Sequence, residues 1–174
     1  MPLPRLGSTR ELVIGPDNVW VSRQLEDRVL RVSTTGRVVG TTDFPEDSGP
    51  HGIDVDRRSH VWVTEEAGAA YAELDPVTGL ITEHRTDVEG AKLAALDFDC
   101  FGNLWVRYNL PGLIDRVRPD LTVSRCTLPT TAPVGHRIIS GPDGSMWFTE
   151  LAADTVGSIT TGCPTPRRRP EPTV

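Results

Sequence analysis

In "GHRIISGPDGSMWFTE", residues 135–150, a histidine (His136) stands fourteen residues before a glutamate (Glu150). "PHGIDVDRRSHVWVTE", residues 50–65, repeats that spacing with His51 and Glu65. A His beside a carboxylate is a general-base arrangement, because the acid stabilises the imidazolium that forms. Glu150 and Glu65 are also hard oxygen donors that suit Mg²⁺ with several retained waters. A metal polarising a carbonyl, with His removing the neighbouring proton, reads as an elimination site. Arg137, beside His136, is placed to hold an anionic or carbonyl oxygen, and Glu66 adds a carboxylate after Glu65. The purely structural alternative is that each His bonds backbone at a strand start and each Glu caps a loop.

The elements that must position these residues come from a repeat. The four tryptophans, Trp20, Trp62, Trp105 and Trp147, are spaced by 42, 43 and 42 residues. Each lies in a matching phrase: "GPDNVWVS", "DRRSHVWVTE", "CFGNLWVR" and "GPDGSMWFTE". An alternating stretch follows each phrase, and a further short run follows the first three. Asp, Pro and Gly at the breaks supply turn dihedrals that strand interiors reject. Roughly 40–45 residues per four-stranded unit is the signature of a propeller blade. The tryptophans are then expected to pack between adjacent blades.

If the 141–144 turn is symmetric, His136 lies opposite Thr149, and a one-residue bulge brings Glu150 opposite instead. The 56–59 turn places His51 near Thr64 and Glu65 in the same way. Both pairs then sit on one rim, at the channel mouth. Counting from the tryptophans puts Ala94 and Tyr108 at the His and Glu positions of the third unit. In the first unit Arg23 replaces Glu, and Ser8 or Thr9 falls near the His position. Tyr108 and Arg107 are expected to line the same mouth. His60 falls in a turn on the opposite face and His84 in an outer strand, both expected to be solvent-exposed.

The expected architecture is an all-β propeller with four four-stranded blades per chain, at about 8–49, 50–91, 92–134 and 135–162. The fourth unit lacks its last strand, and the N-terminal segment 2–7 is placed to close that blade and remove an open edge. Four blades closing alone need about 90° between neighbours, and eight need about 45°. The readings are an eight-bladed homodimer, a four-bladed monomer, or part of a longer propeller. Residues 163–174, rich in Pro and Arg, read as a disordered tail.

Composition narrows the function. The net charge of −6 argues against a nucleic-acid surface. No window offers the roughly 18 apolar residues of a membrane span, and "MPLPRLGSTR" lacks the apolar core of a secretory signal. Cys100, Cys126 and Cys163 are odd in number and widely spaced, which supports neither a disulfide framework nor a zinc site. The simplest reading is a soluble cytoplasmic protein. No serine elbow, P-loop or dinucleotide fingerprint occurs.

Pro50-His51-Gly52-Ile53, Gly141-Pro142-Asp143-Gly144 and Met146-Trp147-Phe148-Thr149-Glu150 resemble the virginiamycin B lyase (streptogramin lyase) family, as do "LDPVTGLITEH" and "TVGSIT". That family consists of seven-bladed propellers that linearise a cyclic depsipeptide by elimination at its ester bond, with magnesium. The resemblance implies catalytic roles for His136 and Glu150, matched equally by His51 and Glu65. It implies Mg²⁺ as cofactor and a small-molecule or cyclic peptide ligand. Two functions follow: lyase-like opening of a cyclic peptide, ester or lactone at the mouth, or a non-catalytic propeller that binds a ligand or partner through the same face.

Overall fold

The computed structural model describes residues 8–130 and 134–164. They form a β-propeller arrangement of four antiparallel sheets, whose strands follow chain order from the channel outward. Sheet 1 holds β1 (Thr9–Ile14), β2 (Asn18–Arg23), β3 (Arg28–Ser33) and β4 (Val38–Asp43). Sheet 2 holds β5 (Pro50–Val55), β6 (Val61–Glu65), β7 (Ala70–Leu74) and β8 (Ile81–Arg85). Sheet 3 holds β9 (Lys92–Phe98), β10 (Leu104–Leu110), β11 (Leu113–Val117) and β12 (Val123–Thr127). Sheet 4 holds β13 (Gly135–Ser140), β14 (Ser145–Glu150) and β15 (Thr155–Thr160). The inner strands pack side by side, β1 against β5, β5 against β9 and β9 against β13. The expected closing strand at 2–7 lies outside the described residues, as does the tail from 165 onward. No described helix is long and apolar enough to cross a membrane.

Alternation along each second strand builds the core. In β6, Val61 and Val63 face sheet 1 and join Trp20, Val29 and Phe44. Trp62, one step out of phase, faces sheet 3 and joins Leu93, Leu104 and Val106. Trp105 does the same towards Ile138, Met146 and Phe148 of sheet 4. Trp20, Trp62 and Trp105 are therefore 4–6% exposed, whereas Trp147, with no described sheet after it, is 38% exposed. The turn aspartates hold the indoles: Trp105 Nε1 donates to Asp99 and Trp147 Nε1 to Asp143, both at 2.9 Å. The Asp-to-Trp part of the repeated phrase is thus a structural clamp.

Cys100 and Cys163 form a disulfide, with 5.9 Å between their Cα atoms. This corrects the expectation that the number and spacing of the cysteines support no disulfide. The two are 63 residues apart, and only the propeller stacking brings the β9–β10 turn beside the segment after β15. Cys126 is free and exposed.

Candidate functional site

The mouth is shaped by a repeated bulge. The register between first and second strands breaks at Thr9/Leu12, Pro50/Ile53 and Gly135/Ile138. A hydroxyl two residues after the Trp holds each bulge. Ser22 accepts from the Glu11 N–H at 3.1 Å, Thr64 from Gly52 at 2.7 Å, and Thr149 from Arg137 at 3.1 Å. In sheet 3 that position is Arg107; β9 carries the extra residue at Ala94, and β10 carries a second at Asn109. A bulge suspends strand alternation, so the side chains within it can turn into the channel.

His51 and His136 lie in two of these bulges. Their rings meet edge to face, with centroids 6.1 Å apart, although their strands belong to sheets 2 and 4. His51 Nδ1 lies 2.6 Å from the Ala94 carbonyl. A carbonyl can only accept, so Nδ1 carries the proton of the neutral ring and Nε2 keeps the basic lone pair. Burial lowers the His51 pKa, only partly offset by the Ala94 bond and by the charge of Glu66. Gly52 is required beside it, because a Cβ there would lie 2.7 Å from Ala94 O and from Ala95 Cα.

The carboxylate whose charge acts on His51 is Glu66. Gln24 donates to its Oε2, and Asn109 donates to Oε1 at 3.2 Å. Arg10, which occupies the His position of sheet 1, donates to Gln24. Arg137 pairs with Glu11, linking sheets 4 and 1 across the channel. Gln24, Glu66 and Asn109 each stand four residues after a Trp. That recurring polar position is the signal by which sequence reasoning could have found the rim; it singled out Glu66 but not Arg10, Glu11, Gln24 or Asn109.

Glu65 and Glu150, three residues after their tryptophans, turn back into the protein. Glu65 is completely buried. A Cβ added at Gly68 would lie 2.9 Å from its Oε2. Neither of its oxygens has a hydrogen-bond partner of normal geometry. Burial, and then the neighbouring Glu83 carboxylate, push its pKa up to about 7. Glu150 accepts from Thr130 at 2.8 Å and from Thr155 at 3.2 Å through Oε2. The structure therefore brings His51 and His136 together but does not bring Glu65 and Glu150 to them.

Arg107 and Tyr108 do not reach the mouth either, both being completely buried. Tyr108, at the position equivalent to Glu65, donates to Asp115 at 2.7 Å, and Asp115 also holds Arg125. Arg107 donates to the carbonyls of Tyr108 and Leu113, and its guanidinium occupies the space that a Gly135 side chain would fill, 2.1 Å from such a Cβ.

Mg²⁺ does not fit the two glutamates expected to hold it. They sit in different sheets, each enclosed by its own neighbours, and burial pushes the Glu65 pKa up to about 7, which disfavours the ionised form that a cation needs. The one three-ligand cluster among the described residues is Asp56, His60 and Glu73, formed by the β5–β6 turn and β7. There Arg58 already bridges Asp56 at 2.9 Å and Glu73 at 2.6 Å. His60 contacts Glu73 at 2.5 Å, so it is not the free surface histidine expected. His84 also departs from expectation, half-buried against Tyr71 and Trp62.

Comparison with known proteins gives a consistent picture. The profile of the virginiamycin B lyase family matches residues 4–165. Virginiamycin B lyase of Nocardia farcinica (strain IFM 10152) is 27% identical over 159 residues, covering 90% of this chain and 53% of that protein. The crystal structure of a catalytically inactive histidine-to-alanine variant of virginiamycin B lyase from Staphylococcus aureus, with quinupristin, superposes with a TM-score of 0.84 at 26% identity, over 92% of this chain and 55% of that one. A streptogramin B lyase structure matches with the same TM-score and identity, over 54% of its length. The chain spans about half the length of the relatives it matches.

Proposed function

The chain belongs to the virginiamycin B lyase family, and on that premise we propose that its channel mouth is a lyase-like site that opens a cyclic peptide, ester or lactone. The observation that carries the reading is the convergence of His51 and His136, 6.1 Å apart, from two non-adjacent sheets. His51 supplies a neutral imidazole whose Nε2 is the base. The exposed His136 and Arg137 offer donors for a carbonyl or leaving carboxylate. In the elimination, His51 takes the proton next to a carbonyl, the C–H electron pair becomes the new C=C bond, and the C–O bond breaks to release the carboxylate. The loss of activity in the histidine variant from S. aureus supports a histidine in this role.

The test is depsipeptide linearisation followed by chromatography and mass spectrometry, with and without Mg²⁺. His51→Ala and His136→Ala are expected to lower kcat/KM at least 100-fold, and Glu150→Gln to leave it within a few-fold. Turnover unaffected by either His change would remove the assigned base. Saturable binding of the depsipeptide without turnover would establish the alternative, a non-catalytic propeller that binds through the same face.

Ring closure by a second copy is the other half of the proposal. On sheet 4, Ile139, Trp147 and Val156 share the face that sheets 1 to 3 use to cover their successors, and they are 44%, 38% and 63% exposed. On sheet 1, Leu12 and Ile14 lie on the opposite face, 58% and 78% exposed. Each surface is one half of the seam that joins the other sheets, so the sheet 1 face of a partner copy is its natural cover. Two such contacts close an eight-sheet ring in which each copy completes the other's channel wall. Light scattering is expected to give twice the 19.0 kDa chain mass, and Trp147→Arg to return it to one chain. A wild-type mass of one chain refutes closure by a copy.

A further inference from the structure

The three seams between sheets are closed differently at the end away from the mouth. In the seam after sheet 1, Arg31 is the register partner of Trp20 and lies over its ring at 5.6 Å. In the seam after sheet 3, Arg116 is the register partner of Trp105 and lies over its ring at 5.7 Å. In sheet 2 the same position is Glu73, opposite Trp62. A carboxylate cannot cap the negative face of an indole, and Glu73 turns to Arg58 and His60 instead. His84 stacks on Trp62 at 5.8 Å, and Phe98 meets it edge-on at 6.1 Å. What remains is a cleft of about 560 Å³ between sheets 2 and 3. The recess beside Trp20 and Arg31 measures about 110 Å³.

We propose that this cleft binds a flat aromatic acid. Its walls are Trp62 and His84 of sheet 2 on one side and Phe98, Leu104 and Val117 of sheet 3 on the other, an apolar slot suited to a ring. Arg118 lines it; the charge of the exposed Asp120 acts on it, but its guanidinium makes no hydrogen bond among the described residues, so its donors are open to a carboxylate. The other cationic groups there are engaged: Arg57 donates to the Cys100 carbonyl and Arg58 is held by Asp56 and Glu73. The site lies at the opposite end of the β5–β6 hairpin from His51, so it is separate from the mouth and independent of the lyase reading.

The test uses 2-naphthoate as probe and 2-naphthamide as its uncharged counterpart, with titration calorimetry on the full chain. The naphthoate is expected to bind saturably with one site per chain and at least tenfold more tightly than the amide. Arg118→Ala removes that preference. Glu73→Arg restores the arginine found at this register position in sheets 1 and 3 and abolishes binding, with circular dichroism melting to confirm that the variant is folded. Should Glu73→Arg fail to fold, Thr82→Phe, which fills the cleft from β8, serves in its place. His136→Ala leaves binding unchanged. Absence of saturable binding, equal affinity for acid and amide, or binding indifferent to both Arg118→Ala and the cleft-filling variant overturns the assignment.

Discussion

Replacing Glu65 by glutamine separates a metal ligand from a buried acid. The Glu65 pKa rises from about 4.5 to about 7, through burial and then the Glu83 charge. The folded protein therefore holds this proton more tightly than the unfolded chain does. Between pH 4.5 and 7 the native state binds more protons, so stability falls as pH rises, and the full penalty is present above 7. A shift of that size corresponds to about 3 kcal/mol, most of which, roughly 2–3 kcal/mol, develops between pH 5 and pH 8. Glutamine keeps the shape and never ionises. Urea unfolding of both proteins from pH 5 to 8 is expected to show the variant gaining on wild type as pH rises. Glu83→Gln should flatten the wild-type profile part of the way, because it removes the second cause. A Glu65→Gln difference that is the same at pH 5 and pH 8 would refute the argument. So would a wild type stabilised by millimolar Mg²⁺ at pH 8 while the variant is not, since that would mean a ligated carboxylate.

Three further outcomes follow from single contacts. Gly52→Ala forces a Cβ to 2.7 Å from the backbone of Ala94 and Ala95. It should cost about 1–3 kcal/mol in denaturant unfolding, and depsipeptide turnover should fall because His51 is adjacent; a neutral effect on both would show that the inner strands separate easily. Tyr108→Phe leaves Asp115 with Arg125 but removes the hydroxyl bonded to Asp115 and Thr86, and about 1–2 kcal/mol of stability should go with it, without a change in kcat. Cys163→Ser opens a cross-link spanning 63 residues. The chain-entropy estimate is about 4 kcal/mol, so the wild-type unfolding midpoint should drop to the variant's on adding reductant, while the variant's own midpoint does not move.

The fold was legible because the repeat is dense in signals with a local cause. An Asp that bonds a Trp indole, a Gly or Asp turn and an alternating strand recur every 42 or 43 residues, and each needs only its own neighbours to be read. A bulge near Glu150 was legible but its phase was not: the expected one sets His136 opposite Glu150, whereas the structure pairs Gly135 with Glu150. The disulfide was not, because no local spacing joins Cys100 to Cys163. Their meeting depends on how sheets 3 and 4 stack, which no window of sequence contains. His84 was misread because an outer strand is exposed on average, whereas this one packs its ring against Trp62 and Tyr71 where the capping arginine is missing.

The candidate site was legible in its histidines and misleading in its carboxylates, and the pleat explains both. After each Trp the second residue faces the following seam, as Ser22, Thr64 and Thr149 do. The third faces back, where Glu65, Tyr108 and Glu150 are buried. The fourth, just past the strand in sheets 1 and 2 and within β10 in sheet 3, reaches the rim, where Gln24, Glu66 and Asn109 join. A His fourteen residues before a Glu therefore stands one step from the residue opposite that Glu, Pro50 for Glu65 and Gly135 for Glu150, and the two side chains do not share one side. The bulge carries His51 and His136 inward and leaves the alternation of the paired strand untouched. Spacing alone located the right end of the right hairpin, and one residue of phase decided which carboxylate serves the mouth. On this geometry Glu66→Gln, which keeps the bond to Asn109 and removes a carboxylate charge that acts on His51, should lower the His51 pKa further, because Glu66 is among the groups that raise it. Titration of the His51 ring by NMR would register a downward shift, and a shift on Glu65→Gln with none on Glu66→Gln would reverse the assignment of the two carboxylates.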